Sequence, residues 1–149
     1  MVVRVVIALL ILATVGGVAL VMRRRPPEPP PRDVYPVPKQ LDRADFRRPE
    51  ATWLVALFSS AACDSCQGLD AKLEPLESSD VAICVADAEH FGALHRRYEL
   101  AAIPTTVIAD HEGVVLRGFV GAFTATDLWA AVAELRTPGS TPEPDLGAV

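Results

Sequence analysis

Trp53-Leu-Val-Ala-Leu-Phe-Ser-Ser-Ala-Ala-Cys-Asp-Ser-Cys-Gln-Gly-Leu69 carries the strongest structural signal in the chain. Its first six residues form a continuous apolar run, the pattern of a central strand covered on both faces. A short polar turn follows, and from Cys63 the spacing predicts a helix with Leu69, Leu73 and Leu76 on one stripe. Gly68 weakens that helix and Pro75 ends its last turn. Cys63 and Cys66 then fall in the first helical turn, close enough to form a disulfide. There, amides without an intrahelical partner and the positive end of the macrodipole favour a thiolate.

Downstream, Val81–Val85 reads as a second buried strand and Glu89–Tyr98 as a helix with Phe91, Leu94 and Tyr98 on its inner face. Thr105–Ala109 and Val114–Val120 read as strands joined by the turn Asp110-His-Glu-Gly113. Thr124-Ala-Thr-Asp127 resembles a capping box, opening a last helix with Leu128, Val132 and Leu135 facing inward. Tyr98 and Trp129 read as core residues, His90, His95 and His111 as surface residues, and Arg96-Arg97 as a solvated face. There are no internal repeats. The order predicts an α/β domain: a mixed central sheet with helices on both faces.

Upstream, Leu41–Phe46 gives a weak signal for a short strand or helical turn. Residues 23–40 hold seven prolines, a density that excludes helix and favours an extended polyproline spacer. Val5–Met22 carries no charge and is long enough to cross a bilayer. With no small-x-small cleavage signal before Arg23, residues 1–22 read as an uncleaved transmembrane anchor. Five basic residues follow the span and only Arg4 and the terminal amine precede it, a bias that favours a cytoplasmic domain over the competing reading, a signal anchor with the domain exported. The chain therefore divides into an anchor (1–22), a spacer (23–40), a domain (41–136) and a polar tail (137–149) with little to bury, expected to be disordered. Within 41–136, eight basic residues face fifteen acidic ones, a balance that offers nucleic acid no basic patch.

Taken together, Leu57-Phe58 ending an apolar strand, Cys63-Asp-Ser-Cys66, Ala102-Ile-Pro-Thr105, and Gly113 with Gly121 resemble the thioredoxin-like family from Trp53 to Arg136. That resemblance implies a thioredoxin-like fold, a cis Ile103–Pro104 bond packed against the cysteine pair, and a groove in which Ile103, Pro104 and Thr105 receive an extended substrate. It further implies a thiol–disulfide oxidoreductase acting on protein disulfides or dithiols, with an electron donor or acceptor still to be identified and no cofactor or resident metal. Three departures stand out. Ala62 replaces the family's frequent Trp, Asp64-Ser65 its frequent Gly-Pro, and the position of its buried acid falls on Leu57.

The chemistry follows from thiol physics. A thiolate attacks a disulfide, so Cys63, nearest the helix start, is the expected nucleophile, and Cys66 the thiol that resolves the mixed disulfide. Asp64 opposes a second negative charge at Cys63 and is expected to make the centre more reducing. Cys84, in mid-strand, reads as a small buried hydrophobe. A different class of reading is a non-catalytic binding module, with Cys63 and Cys66 holding a soft metal together with a partner's ligands. The arginine bias gives one direct expectation: a topology reporter fused after Val149 should register the cytoplasmic side, and an extracytoplasmic signal would overturn that placement.

Overall fold

A computed structural model describes residues 35–149. The expected anchor over 1–22 and most of the spacer over 23–40 lie outside the described residues. Trp53–Ser59 (β1) occupies the middle of the sheet and is buried from its second residue onward. It pairs in parallel with Val81–Asp87 (β2) and antiparallel with Thr105–Ala109 (β3), which pairs antiparallel with Val115–Val120 (β4). The sheet order is β2-β1-β3-β4. Because β1 and β2 run one way and β3 the other, the ends of β1 and β2, the start of β3 and the end of β4 meet at one edge.

Two apolar layers cover the sheet. On one face Leu54, Ala56, Phe58, Cys84 and Val107 pack with Leu41 and Phe46, with Leu94 of the second helix, Ala88–Arg97 (α2), and with Tyr98, which caps it. On the other, Val55, Leu57, Val81 and Ile108 pack against Leu69 and Leu73 around the short helix Asp70–Leu73 (α1), and against Leu128, Ala131 and Val132 of Ala125–Arg136 (α3). Burial of each large side chain contributes about 1.5–3 kcal/mol, so the alternation of β1 between the layers is a main source of stability. The α3 capping box forms as expected: Thr124 Oγ1 accepts from Asp127 N at 3.1 Å and Asp127 Oδ2 from Thr124 N at 3.3 Å.

The ambiguous Leu41–Phe46 segment resolves into a bridge from Gln40 to Val114 followed by a 3-10 turn at Arg43–Asp45. Arg97 spans Asp42 and Asp45 at 3.0 Å each, and the Tyr98 hydroxyl donates to Asp45. Burial, reinforced by that carboxylate, pushes the Tyr98 phenol up to about 12. Gly113 closes the hairpin at φ 84°, and a side chain there would collide with the Leu41 carbonyl.

Several expectations change. Phe91 breaks the α2 helix (φ −116°, ψ 28°) and turns outward, 43% exposed, so it is not on the inner face. Trp129, one residue off the Leu128 stripe, is also exposed, and its indole N–H donates to Lys72 O at 2.8 Å. His95 is half-buried: Nε2 donates to Ala86 O at 2.7 Å and the ring stands edge-on to Phe58. The tail, expected to be disordered, is held by polar contacts rather than apolar burial. The Glu134 carboxylate accepts from Gly139 N (2.6 Å), Thr141 N (3.1 Å) and Thr141 Oγ1 (3.1 Å). Beyond it, Gly118 N donates to Gly147 O and Arg117 Nη2 to Pro144 O, closing the open edge of β4.

These donors, Gly139 N–H foremost, hold the Glu134 carboxyl below the usual carboxylate range. Its contribution is therefore complete above the unfolded value and is lost as pH falls through the lower folded one. Glu134→Gln should speed hydrogen exchange at Gly139, Thr141 and Gly118 near neutral pH, with the difference from the parent chain shrinking as acid protonates Glu134. Equal exchange at neutral pH would show that the carboxylate does not hold the tail.

Candidate active site

Cys63 follows the end of β1 by four residues, with its N–H donating to Ser60 O at 3.1 Å. The helix expected from Cys63 does not form there. Asp64–Cys66 is a single 3-10 turn, Gln67 is extended (ψ 130°), and Gly68 takes φ 69° before the four-residue α1. The reason is Gly68, which adopts a left-handed conformation that breaks the ladder between the cysteines and the leucine stripe. So short a turn aligns few peptide dipoles, and thiolate stabilisation at Cys63 falls to local donors. One is present: the Ser65 hydroxyl donates to Cys63 Sγ at 3.3 Å. Sequence reading missed this role for Ser65, whose only signal was its place between the two cysteines.

Cys63 and Cys66 form a disulfide across a Cα–Cα distance of 5.3 Å. The two sulfurs are not equivalent. Cys63 is partly exposed, whereas Cys66 is buried, 9% exposed. Ile103–Pro104 is cis, and Ile103 O lies 4.0 Å from Cys63 Sγ. Pro104 is buried and its carbonyl accepts from Gly121 N at 2.8 Å, tying the turn to the end of β4. Ile103 is 39% exposed, and Val120 at the end of β4 is exposed as well. Thr105 differs from the expectation: it is buried and its hydroxyl donates to Ala102 O at 2.7 Å, so it braces the turn instead of facing outward.

The remaining candidates separate cleanly. Asp64 is exposed, within 3.5 Å of Gln67 Nε2. Leu57 is 1% exposed and packs in the apolar layer with Leu69 and Leu73. Cys84 is buried, and burial pushes its thiol up against the opposing pull of Arg47. No group of three or more His, Cys, Asp or Glu side chains among the described residues converges on a possible metal position.

No family model matches the chain, and no curated protein does either. Solved structures do. The germline-specific thioredoxin Deadhead of Drosophila melanogaster is 24% identical, with 58% of this chain and 84% of that one aligned at a TM-score of 0.51. Thioredoxin-2 of the malaria parasite, a component of its protein secretion machinery, is 17% identical over 56% and 82% at 0.51. A chain from the yeast mitochondrial 1-Cys peroxiredoxin and glutathione/thioredoxin thiol-resolving system is 21% identical over 62% and 85% at 0.50.

The domain has a thioredoxin-like fold. At such identities the likeness extends to the backbone, and the chemistry of the thioredoxin-like domain rests on its own residues. Asp64 offers the most direct check. A carboxylate one residue from Cys63 disfavours the thiolate and so the reduced form. Asp64→Asn should raise the reduction potential by about 10–20 mV at low salt, the size of an exposed charge contact, and by less as salt screens it. An unchanged or more negative potential would remove Asp64 from the tuning of this centre.

Proposed function

We propose that the chain is a membrane-anchored thiol–disulfide oxidoreductase that reduces disulfides in proteins. The observation that carries this reading is the asymmetry of the pair: a partly exposed Cys63 beside the Ile103 carbonyl, bonded to a buried Cys66.

In the reduced protein the Cys63 thiolate attacks one sulfur of a substrate disulfide. A Cys63–substrate bond forms, and the displaced substrate sulfur leaves with the electron pair and takes up a proton. Cys66 then loses its proton and attacks Cys63 Sγ, which releases the second substrate sulfur and regenerates the intramolecular disulfide. The exposed backbone of Ile103 pairs with an extended substrate segment, and Pro104 shapes the groove beside it. Two electrons from a dithiol donor restart the cycle. The uncharged Val5–Met22 run supports a single-pass anchor, and the arginines after it support a domain on the cytoplasmic side, where the surroundings favour reduction.

The test is turnover of a disulfide-bonded protein such as insulin by the full chain with dithiothreitol as donor, with metal analysis of the same sample. Cys63→Ser should abolish turnover, and Cys66→Ser should stall as a covalent Cys63–substrate adduct visible by mass. Turnover that survives Cys63→Ser, or stoichiometric metal without turnover, would overturn the proposal and favour a metal-holding module.

A further inference from the structure

Resolution by Cys66 requires a negative sulfur in a buried place, and the acid at that end of the sheet, Asp87, is engaged by the Glu89 N–H at the start of α2. Leu69 and Leu73, which follow Cys66 on the same segment, pack on the face of the sheet that carries Val55, Leu57 and Ile108. Next to the Ser59–Asp87 pair at the cis-proline end of that face lies the row Val85, Leu57, Thr106 and Phe119, aligned across all four strands. Thr106 is the single polar residue in it. It is fully buried, and its Oγ1 has no hydrogen-bond partner, in contrast to the neighbouring Thr105 hydroxyl, which is used by Ala102 O.

Buried hydroxyls are ordinarily paired, so an unpaired one one row below the active turn is unusual. The charged groups on the elements packed there are directed elsewhere. Lys72 Nζ donates to Phe123 O, Arg117 to the carbonyls of Leu116 and Pro144, the Asp127 carboxylate caps α3, Glu134 holds the tail and Arg136 pairs with Asp80; Asp87 accepts from Glu89 N beside His90, and Asp70 is exposed.

We propose that Thr106 is a positioning residue for the resolving step: its hydroxyl donates a hydrogen bond, directly or through one water, to the Cys66 sulfur as that sulfur becomes a thiolate. The inference rests on the redox reading above. In the disulfide the Cys66 sulfur is neutral and attracts a donor weakly; on reduction it becomes a charged acceptor, and charge-assisted bonds are the strong ones. Thr106 neither gives up nor gains a proton overall. The Cys66 proton goes to solvent, and the electron pair follows the path already described.

The reduced full chain mixed with 5,5′-dithiobis(2-nitrobenzoate) separates the steps. The first nitrothiobenzoate released reports attack by Cys63, and the second reports attack by Cys66, a phase that Cys66→Ser should lack. Thr106→Val should fold, since it replaces an unpaired buried hydroxyl with a methyl. It should leave the first phase within about twofold, slow the second about tenfold at pH 7, and move its midpoint about one pH unit upward. Thr106→Ser should restore the second phase to within about twofold. A second phase with the parent rate and midpoint in Thr106→Val, or no rescue by Thr106→Ser, overturns the role of Thr106. A parent chain that gives no second phase overturns the redox reading itself, and the two failures are thereby distinct.

Discussion

Burial of β1 on both faces is the constraint on which the rest of this molecule depends. A strand flanked by β2 and β3, with apolar layers above and below, leaves no water for its backbone or side chains. Every polar group it presents must be satisfied by the ladder, and every side chain must fit one layer or the other. The strand therefore ends where polar residues begin, at Ser59 and Ser60, and the chain emerges at the sheet edge where the β3 turn and the end of β4 also lie. Cys63 is placed by that exit, and Ile103 is brought opposite it by the antiparallel register of β3.

The cysteine pair is held by local geometry more than by a helix. Gly68 separates a single 3-10 turn from the leucine-bearing segment, so Cys66 is carried inward with Leu69 and Leu73 while Cys63 stays at the rim. Burial differentiates two chemically identical groups, and differentiation is what a two-step exchange needs. The same turn brings Ser65 to Cys63, supplying a donor that an extended macrodipole would otherwise provide. On the sheet face that packs against Leu69 and Leu73, Leu57 is apolar and its cross-strand partner Thr106 carries a buried hydroxyl without a hydrogen-bond partner.

Away from the site, polar contacts settle what hydrophobicity leaves open. The sequence 137–149 has few side chains to bury, yet Glu134 binds the first turn of the tail, and Gly118 with Arg117 binds its end along β4. An exposed strand edge is a template for association with another chain, and the tail occupies it. On the opposite layer, Arg97, Asp42, Asp45 and Tyr98 tie the entry to the domain to the end of α2.

Strand positions, the Asp110–Gly113 turn and the α3 cap were legible because each is written in contiguous residues: an apolar run, a turn, a Thr three residues before an Asp. The cysteine pair with its proline was legible for the same reason, as short motifs at a fixed separation. Contacts between distant residues were not. The inner place of His95, the outward turn of Phe91, the exposure of Trp129 and the grip of Glu134 on the tail each depend on which neighbours the fold supplies. Strand placement and the presence of two thiols beside a proline motif could be read without a fold, because periodicity and residue type are local properties. Which sulfur is buried, where the helix breaks and which hydroxyl lacks a partner emerge only in the folded chain, because burial and hydrogen bonding are settled between segments distant in sequence.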